Sequence, residues 1–286
     1  MGCQRLRLEG LILCALAVGC TGKSEDSSSA QSEEQPCDQV ENTQVAVITE
    51  MWFARINDGE SWGADLDGGG DGCGVEDLTD PEGNGGIDNG FGALLPALEL
   101  TEGAAIEVYI QNLINSGEIL ILLEMEDVDD PDEDACVNVN LLRGLGEPTV
   151  GTDKIIESGQ TFDRDLDLPL SRTEGQSIVD GSLIATPLEF SLPFTIFDVN
   201  LTFNLQESTL RFDQGIEGHH TGYLAGGLFT EEITSFVEGR DDIDIGDLVV
   251  TMVENRADLW PDESGVCQGI SVVFEFKAKP AFFYVD

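Results

Sequence analysis

The feature that most constrains this chain is strict alternation of apolar and polar residues in its second half. One run has apolar residues at every second position: Phe197, Val199, Leu201, Phe203 and Leu205. A period of two buries one face of a strand and exposes the other, as in an antiparallel sheet covered on one side. The phase shifts at Glu207-Ser208, which predicts a turn or bulge there.

Other segments complete the predicted fold. Apolar runs at 45–53, 119–123 and 270–284 predict buried strands. Spacings of three and four residues predict helices over 91–100 and 104–115, and Thr230 is a plausible N-cap of a short third helix. Residues 246–257 fit a helix or a strand. We therefore predict a mainly β (α+β) protein, an antiparallel β-sandwich with two or three short helices.

The N-terminus carries export signals. Arg5 and Arg7 precede an apolar run too short to span a bilayer, as in a secretory signal peptide. Residues 16–20 (LAVGC) resemble the lipobox of bacterial lipoproteins, which implies that Cys20 is diacylated and becomes the mature N-terminus. Thr21, where Asp would favour retention at the inner membrane, implies an outer-membrane lipoprotein, periplasmic or surface-facing. The alternative is an ordinary, unlipidated secretory peptide.

These signals divide the chain into three predicted parts. Residues 1–19 are the signal peptide, residues 20–44 are the lipidated cysteine and a flexible tether, and residues 45–286 are a single β-rich domain with acidic loops. A formal charge of −43 excludes nucleic acid as a partner, because phosphates would be repelled. The predicted partners are the membrane, through the lipid, and an unidentified envelope or extracellular molecule.

The cysteine count agrees with export. After removal of Cys3 and Cys14 and lipidation of Cys20, four cysteines remain: Cys37, Cys73, Cys136 and Cys267. In an exported protein they predict two disulfides, with three possible connectivities. A structural zinc site is disfavoured because no two of them have the close spacing that such sites use.

Residues 63–89 combine carboxylates, glycines and one cysteine with almost nothing to bury. Six acids in this region are candidate metal ligands: Asp65, Asp67, Asp71, Glu76, Asp77 and Asp88. The segment from Asp65 partly resembles an EF-hand loop, but Gly69 and Gly72 depart from that pattern and no amphipathic helices flank it. We expect a looser calcium-binding loop, with Ca²⁺ as the cofactor. The alternative is a solvated loop held only by Cys73.

Acidic residues also dominate the surrounding sequence. Residues 56–142 contain 22 Asp and Glu and no Lys or Arg, so local salt bridges cannot neutralise them. Eight of these acids lie within residues 124–134. This second cluster could complete the same cation site, form its own site, or be a solvated turn around Pro131.

No sequence motif indicates catalysis, and we predict that the protein is not an enzyme. The two histidines, His219 and His220, are adjacent, and neighbours on a strand point to opposite faces, so they cannot both bind one metal. We expect a solvent-facing pair rather than a catalytic base. A glycan hydrolase with paired carboxylates remains a third hypothesis, although so many acids make any pairing uninformative.

Four segments together resemble predicted bacterial lipoproteins of unknown function: DLDG at 65–68, GGIDN at 85–89, LLP at 94–96 and the late cysteine Cys267 before its strand. This resemblance implies an exported, lipid-anchored β-rich domain and no established activity. We predict a binding or interaction module with a calcium-stabilised loop. The alternative is a carrier of apolar ligands, whose strands between Leu188 and Phe212 would wrap a cavity.

Overall fold

A computed structural model describes Cys37 and residues 42–69, 72–99, 106–168, 170–196, 199–238 and 246–284. The signal peptide, Cys20 and most of the predicted tether lie outside these residues. The described strands are β1 (Gln44–Phe53), β2 (Leu78–Thr79), β3 (Gly85–Ile87), β4 (Ile121–Glu126), β5 (Asp134–Leu145), β6 (Gln160–Arg164), β7 (Ser171–Val179), β8 (Ser182–Ile196), β9 (Val199–Asp213), β10 (His220–Phe229), β11 (Leu259–Pro261) and β12 (Cys267–Phe283). The described helices are α1 (Leu95–Leu98), α2 (Ile106–Ser116), α3 (Thr230–Glu238) and α4 (Gly246–Arg256).

The prediction of a mainly β protein with antiparallel sheets is confirmed, but the predicted sandwich is wrong. Eight strands pair in a closed ring, in the order β1, β4, β5, β7, β8, β9, β10 and β12, and β12 returns to β1. Every pairing in this ring is antiparallel. The sheet is therefore a closed barrel of eight strands.

The closing pairs join strands that are far apart in sequence. Phe53 lies opposite Phe274 in the β1–β12 pair, and Val139 lies opposite Thr173 in the β5–β7 pair. Alternation along one strand gives the same signal in a sandwich and in a barrel, because each buries one face of every strand. Pairing partners, rather than the period of two, separate the two architectures.

The inward face of the barrel is filled by large side chains. The rings of Phe53 and Phe274 have centroids 4.7 Å apart, and Phe276 and Phe212 are almost completely buried. Leu224, on β10, lies opposite Phe274 in the β10–β12 pair and is also buried. These residues bury much of the apolar surface that drives folding.

The two ends of the barrel differ. At the end where β1 finishes and β12 begins, here called the helical end, Phe53 stacks on Phe91 with centroids 4.8 Å apart. α4 contacts both β12 and the 3-10 turn Phe91–Ala93 at this end. At the opposite end, here called the groove end, β1 and β10 begin and β12 finishes. Outside the ring, β6 runs parallel to β12 and antiparallel to β5.

The predicted pair of disulfides is present. Cys37 is bonded to Cys136, with Cα atoms 5.3 Å apart, and Cys73 is bonded to Cys267, with Cα atoms 5.9 Å apart. The second bond joins the acidic region to the first residue of β12. The connectivity that the sequence left open is therefore 37–136 and 73–267.

Candidate cation site in the acidic loop

Residues 54–90 are here called the acidic loop, and its described residues, 54–69 and 72–90, lie against the outer face of β10 and β12. The Ala54 amide donates a hydrogen bond to the Val273 carbonyl over 2.9 Å. The Trp62 ring stacks near Tyr223, with centroids 6.3 Å apart. The loop thus has a small apolar base of its own on the barrel wall.

Arg211, on β9, fastens the loop to the barrel. Its guanidinium donates to both carboxylate oxygens of Glu82, over 2.9 and 2.7 Å, and to Asp213 over 2.9 Å. The same guanidinium lies 5.2 Å from the centroid of the Trp62 ring. Only 15% of the Arg211 side chain is exposed, whereas 47% of the Glu82 side chain is, so the bidentate pair is shielded from water on the arginine side only.

Arginines from outside residues 56–142 therefore neutralise part of this acidic segment, although the segment itself contains no Lys or Arg. Three further arginines outside residues 56–142 pair with acids inside it: Arg55 with Glu99 and Glu107, Arg164 with Glu124, and Arg172 with Glu126. Within the described residues, no ion pair reaches Asp65, Asp67 or Asp88.

These three aspartates converge on one point. One carboxylate oxygen from each of Asp65, Asp67 and Asp88 lies within 4.8 Å of the other two. Asp65 and Asp67 are exposed, whereas Asp88 is 5% exposed. Asp88 follows β3, and a bridge in which its amide donates to the Ala64 carbonyl over 3.0 Å aligns it with the DLDG turn. The DLDG and GIDN segments are therefore neighbours in space.

Glycines shape the turn that carries two of the aspartates. The amides of Gly68 and Gly69 donate to Asp65 Oδ1 over 2.7 and 2.8 Å, and Gly69 also donates to Asp67 over 3.1 Å. Gly68 and Gly69 have φ values of 88° and 77°, which favour glycine. The turn fixes the direction of both carboxylates.

The electrostatics of the cluster favour a cation. Burial raises the pKa of Asp88 to about 7, and the carboxylates of Asp67, Asp258 and Asp77 also raise it, against the lowering effect of the Leu66 amide. That amide donates to Asp88 Oδ2 over 2.7 Å. Three oxygen ligands around a glycine-shaped turn are the donors that hard divalent cations such as Ca²⁺ accept.

Two of the other predicted ligands, Glu76 and Asp77, are not part of this convergence. Asp71 is outside the described residues, while Glu76 is exposed and Asp77 partly buried, and neither belongs to the convergent group. The second acidic cluster does not join it either in the described part of the chain. There, Asp134 instead accepts the amide of Asp129 over 2.7 Å, within a turn of its own.

A buried polar network beside the site was not predicted from sequence. Asp258, 3% exposed, accepts hydrogen bonds from the amide and the hydroxyl of Ser271, and the Gly90 amide donates to the Ser271 hydroxyl over 2.6 Å. Asn89 donates to Ser61 over 2.8 Å and accepts from the Gly92 amide over 2.9 Å. Asp88 therefore faces the carboxylate cluster, while the next two residues anchor the loop at the helical end.

The histidines are not equivalent. His219 is exposed as predicted, but His220 is half-buried, with its ring 4.9 Å from that of Phe212. Burial lowers the pKa of His220, and neighbouring His219 lowers it further. The expectation of two solvent-facing histidines is therefore wrong for His220.

Comparison with known proteins finds no matching family model, and no curated protein or solved structure with significant similarity. None of the helices in the described part of the chain has both the length and the apolar character needed to cross a membrane.

Proposed function

We propose that this protein is a lipid-anchored module of the outer membrane or cell surface that binds a partner, and that Ca²⁺ orders its acidic loop. The calcium proposal depends mainly on the convergence of Asp65, Asp67 and Asp88 within 4.8 Å. Among the described residues, none of the three forms an ion pair with Lys, Arg or His. A cation would offset their mutual repulsion.

The donor set supports calcium over softer metals. All three candidate ligands offer oxygen, and Cys73, the cysteine of the same loop, is held in a disulfide and has no free thiolate. Exposed edges at Asp65 and Asp67 leave room for water, which commonly completes a calcium shell.

Calcium is tested by thermal unfolding of the mature domain in Ca²⁺ or in EDTA. Binding at a hundredfold excess over Kd adds about 2.7 kcal/mol, which corresponds to a rise in Tm of about 5 °C or more. Asp65→Asn and Asp67→Asn each keep a side-chain oxygen that can accept hydrogen bonds from the backbone amides of the turn, but each removes a negative charge. Both substitutions should therefore reduce the rise in Tm. Asp58→Asn is the matched control, because Asp58 is exposed and its φ of 51° suits Asn. An equal Tm in Ca²⁺ and EDTA for the folded wild type contradicts the proposal.

The lipobox-like residues that end at Cys20 support the membrane anchor. Expression of the full chain in a bacterium fed labelled palmitate should label the wild type, and Cys20→Ser should abolish the label and release the protein from the membrane fraction. Labelling that survives in Cys20→Ser contradicts an anchor at this residue.

A further inference from the structure

A groove of about 580 Å³ opens at the groove end of the barrel. Its walls combine the ends of β1, β4, β6, β9, β10 and β12. Its apolar lining includes Phe212, Met125, Pro280, Phe283 and two exposed aromatic residues. Those two, Phe282 and Tyr284, are 58% and 64% exposed. Exposed aromatic side chains beside a ligand-sized groove are typical of a binding surface.

The charged groups inside the groove neutralise each other. Glu124 is 3% exposed, forms an ion pair with Arg164 and accepts a hydrogen bond from Asn140 over 2.9 Å. The Arg164 guanidinium also lies 4.1 Å from the centroid of the Phe283 ring. The groove lining thus combines aromatic rings with one paired acid and base, so the charges around the groove determine which ligands it attracts.

Three acidic loops border the groove end and are joined by backbone hydrogen bonds. The Gly181 amide donates to the Asp132 carbonyl, and the Gln214 amide donates to the Gly181 carbonyl, each over 2.8 Å. These loops, residues 127–134, 180–181 and 214–219, contain no Lys or Arg. Their exposed acids, here called the acidic rim, are Asp129, Asp130, Asp132, Glu133, Asp180 and Glu217.

The loops that carry the acidic rim contact residues of the groove at two places. The Val128 amide donates to the Asn42 carbonyl over 3.2 Å, next to the groove residues Thr43 and Gln44. On the other side, the Cα of Gly218 packs so closely on Pro280 that a Cβ there would lie 2.8 Å from the proline ring. Ile216, 88% exposed, adds an apolar side chain to this loop.

We propose that the groove and the acidic rim bind a cationic, amphipathic segment of a partner protein. Its Lys and Arg side chains pair with the rim, while its aromatic or aliphatic side chains enter the groove. Charge complementarity favours this occupant, since the rim repels the phosphates of lipids and the carboxylates of fatty acids. The proposal rests on the binding function proposed above and names the class of partner.

The test measures binding of fluorescent peptides to the mature domain at low and physiological salt. The probe alternates Lys and Phe, and its comparison peptides alternate Lys with Ser and Glu with Phe. We expect the Lys/Phe peptide to bind at least tenfold more tightly than either. The double variant Phe282→Ser, Tyr284→Ser should weaken Lys/Phe binding about tenfold, and Asp129→Asn, Asp130→Asn, Glu217→Gln together should do the same.

Matched controls lie away from the groove. The control for the acidic triple variant removes the same charge and combines Glu231→Gln, Glu254→Gln and Glu263→Gln. The control for the aromatic double variant removes exposed apolar side chains and combines Leu248→Ser and Val266→Ser. Both controls should bind the Lys/Phe peptide like the wild type. Equal binding of the Lys/Phe and Lys/Ser peptides, or equal weakening by the control triple, overturns the proposal in favour of non-specific charge attraction. Oleate binding that is stronger than Lys/Phe binding and is lost in the double aromatic variant overturns it in favour of an apolar carrier.

The calcium measurement separates the two proposals. Peptide binding that fails while Ca²⁺ still raises Tm overturns only the partner proposal. Peptide binding that persists in EDTA and in Asp65→Asn, with no effect of Ca²⁺ on Tm, overturns only the calcium proposal.

Discussion

Asp258 is a buried carboxylate whose hydrogen-bond donors are a hydroxyl and backbone amides. Burial raises its pKa to about 6 from an ordinary value of 3.8, although Ser271 lowers it. Between these two values only the folded protein retains the proton, so the contribution of Asp258 to stability falls as pH rises from about 4 to about 6. The corresponding loss is about 2 to 3 kcal/mol.

Asp258→Asn should remove this pH dependence. We expect the unfolding free energy of the wild type, measured relative to that of the variant, to be about 2 kcal/mol higher at pH 4 than at pH 7. Denaturant unfolding across this range measures it, with Asp58→Asn as a control. A difference that stays constant with pH would show that Asp258 keeps an ordinary pKa.

Arg211 is the residue expected to matter most for docking of the acidic loop. Arg211→Ala removes a mostly buried side chain that packs near Trp62 and pairs with the partly exposed Glu82 and Asp213, so we expect a loss of about 1 to 2 kcal/mol and faster proteolysis within residues 63–89. Arg172, whose side chain is 33% exposed, is the control, and Arg172→Ala should cost about 1 kcal/mol or less. Equal losses in the two variants would contradict a docking role for Arg211.

At the level of single residues, sequence reasoning identified the members of the convergent cluster but not its surroundings. Asp65, Asp67 and Asp88 stood out because they lie among the glycines of a segment, residues 63–89, that has almost nothing to bury. Asp258 gave no such signal, since it precedes β11 and its partner Ser271 lies 13 positions away on β12. Arg211 likewise pairs with Glu82 across 129 positions. Neither contact has a local pattern.

Among the elements, the disulfide between the acidic loop and β12 should order the loop more than the barrel. The double variant Cys73→Ser, Cys267→Ser should lower the unfolding free energy by about 2 to 4 kcal/mol. Hydrogen exchange should become faster within residues 72–89 and remain nearly unchanged in β4 and β5 before global unfolding. Cys37→Ser, Cys136→Ser is the matched control and should leave residues 72–89 protected. Equal exchange in the loop for both variants would contradict this role.

Elements with a strong period were predicted well. β12 is the buried strand that was predicted, with Ile270, Val272 and Phe274 all buried and with Ser271 and Val273 buried on its other face. α2 begins at Ile106, within the predicted helix. The phase shift at Glu207 is a register irregularity between β9 and β10, where Glu207 has a φ of 50°. The predicted helix over 91–100 is instead a 3-10 turn followed by the single turn of α1, because Pro96 interrupts the regular pattern of amide donors.

At the scale of the whole molecule, the closure of the sheet into a barrel was not predicted from the sequence. It depends on β1 meeting β12, strands more than 200 positions apart whose alternation fits either architecture. The same long-range pairing of strands brings arginines to residues 56–142, which contain no Lys or Arg of their own. Of the six acids that the sequence offered as cation ligands, Asp65, Asp67 and Asp88 lie together, and among the described residues none of these three forms an ion pair.

The most direct test of the account is hydrogen exchange across residues 63–89 of the mature domain, measured by mass spectrometry in Ca²⁺ and in EDTA. We predict that Ca²⁺ slows exchange there at least tenfold in the wild type and in Asp58→Asn, and has no such effect in the double variant Asp65→Asn, Asp67→Asn. Exchange of the barrel strands provides the internal reference. Loop exchange that is the same in Ca²⁺ and EDTA for the folded wild type would contradict a cation-ordered acidic loop.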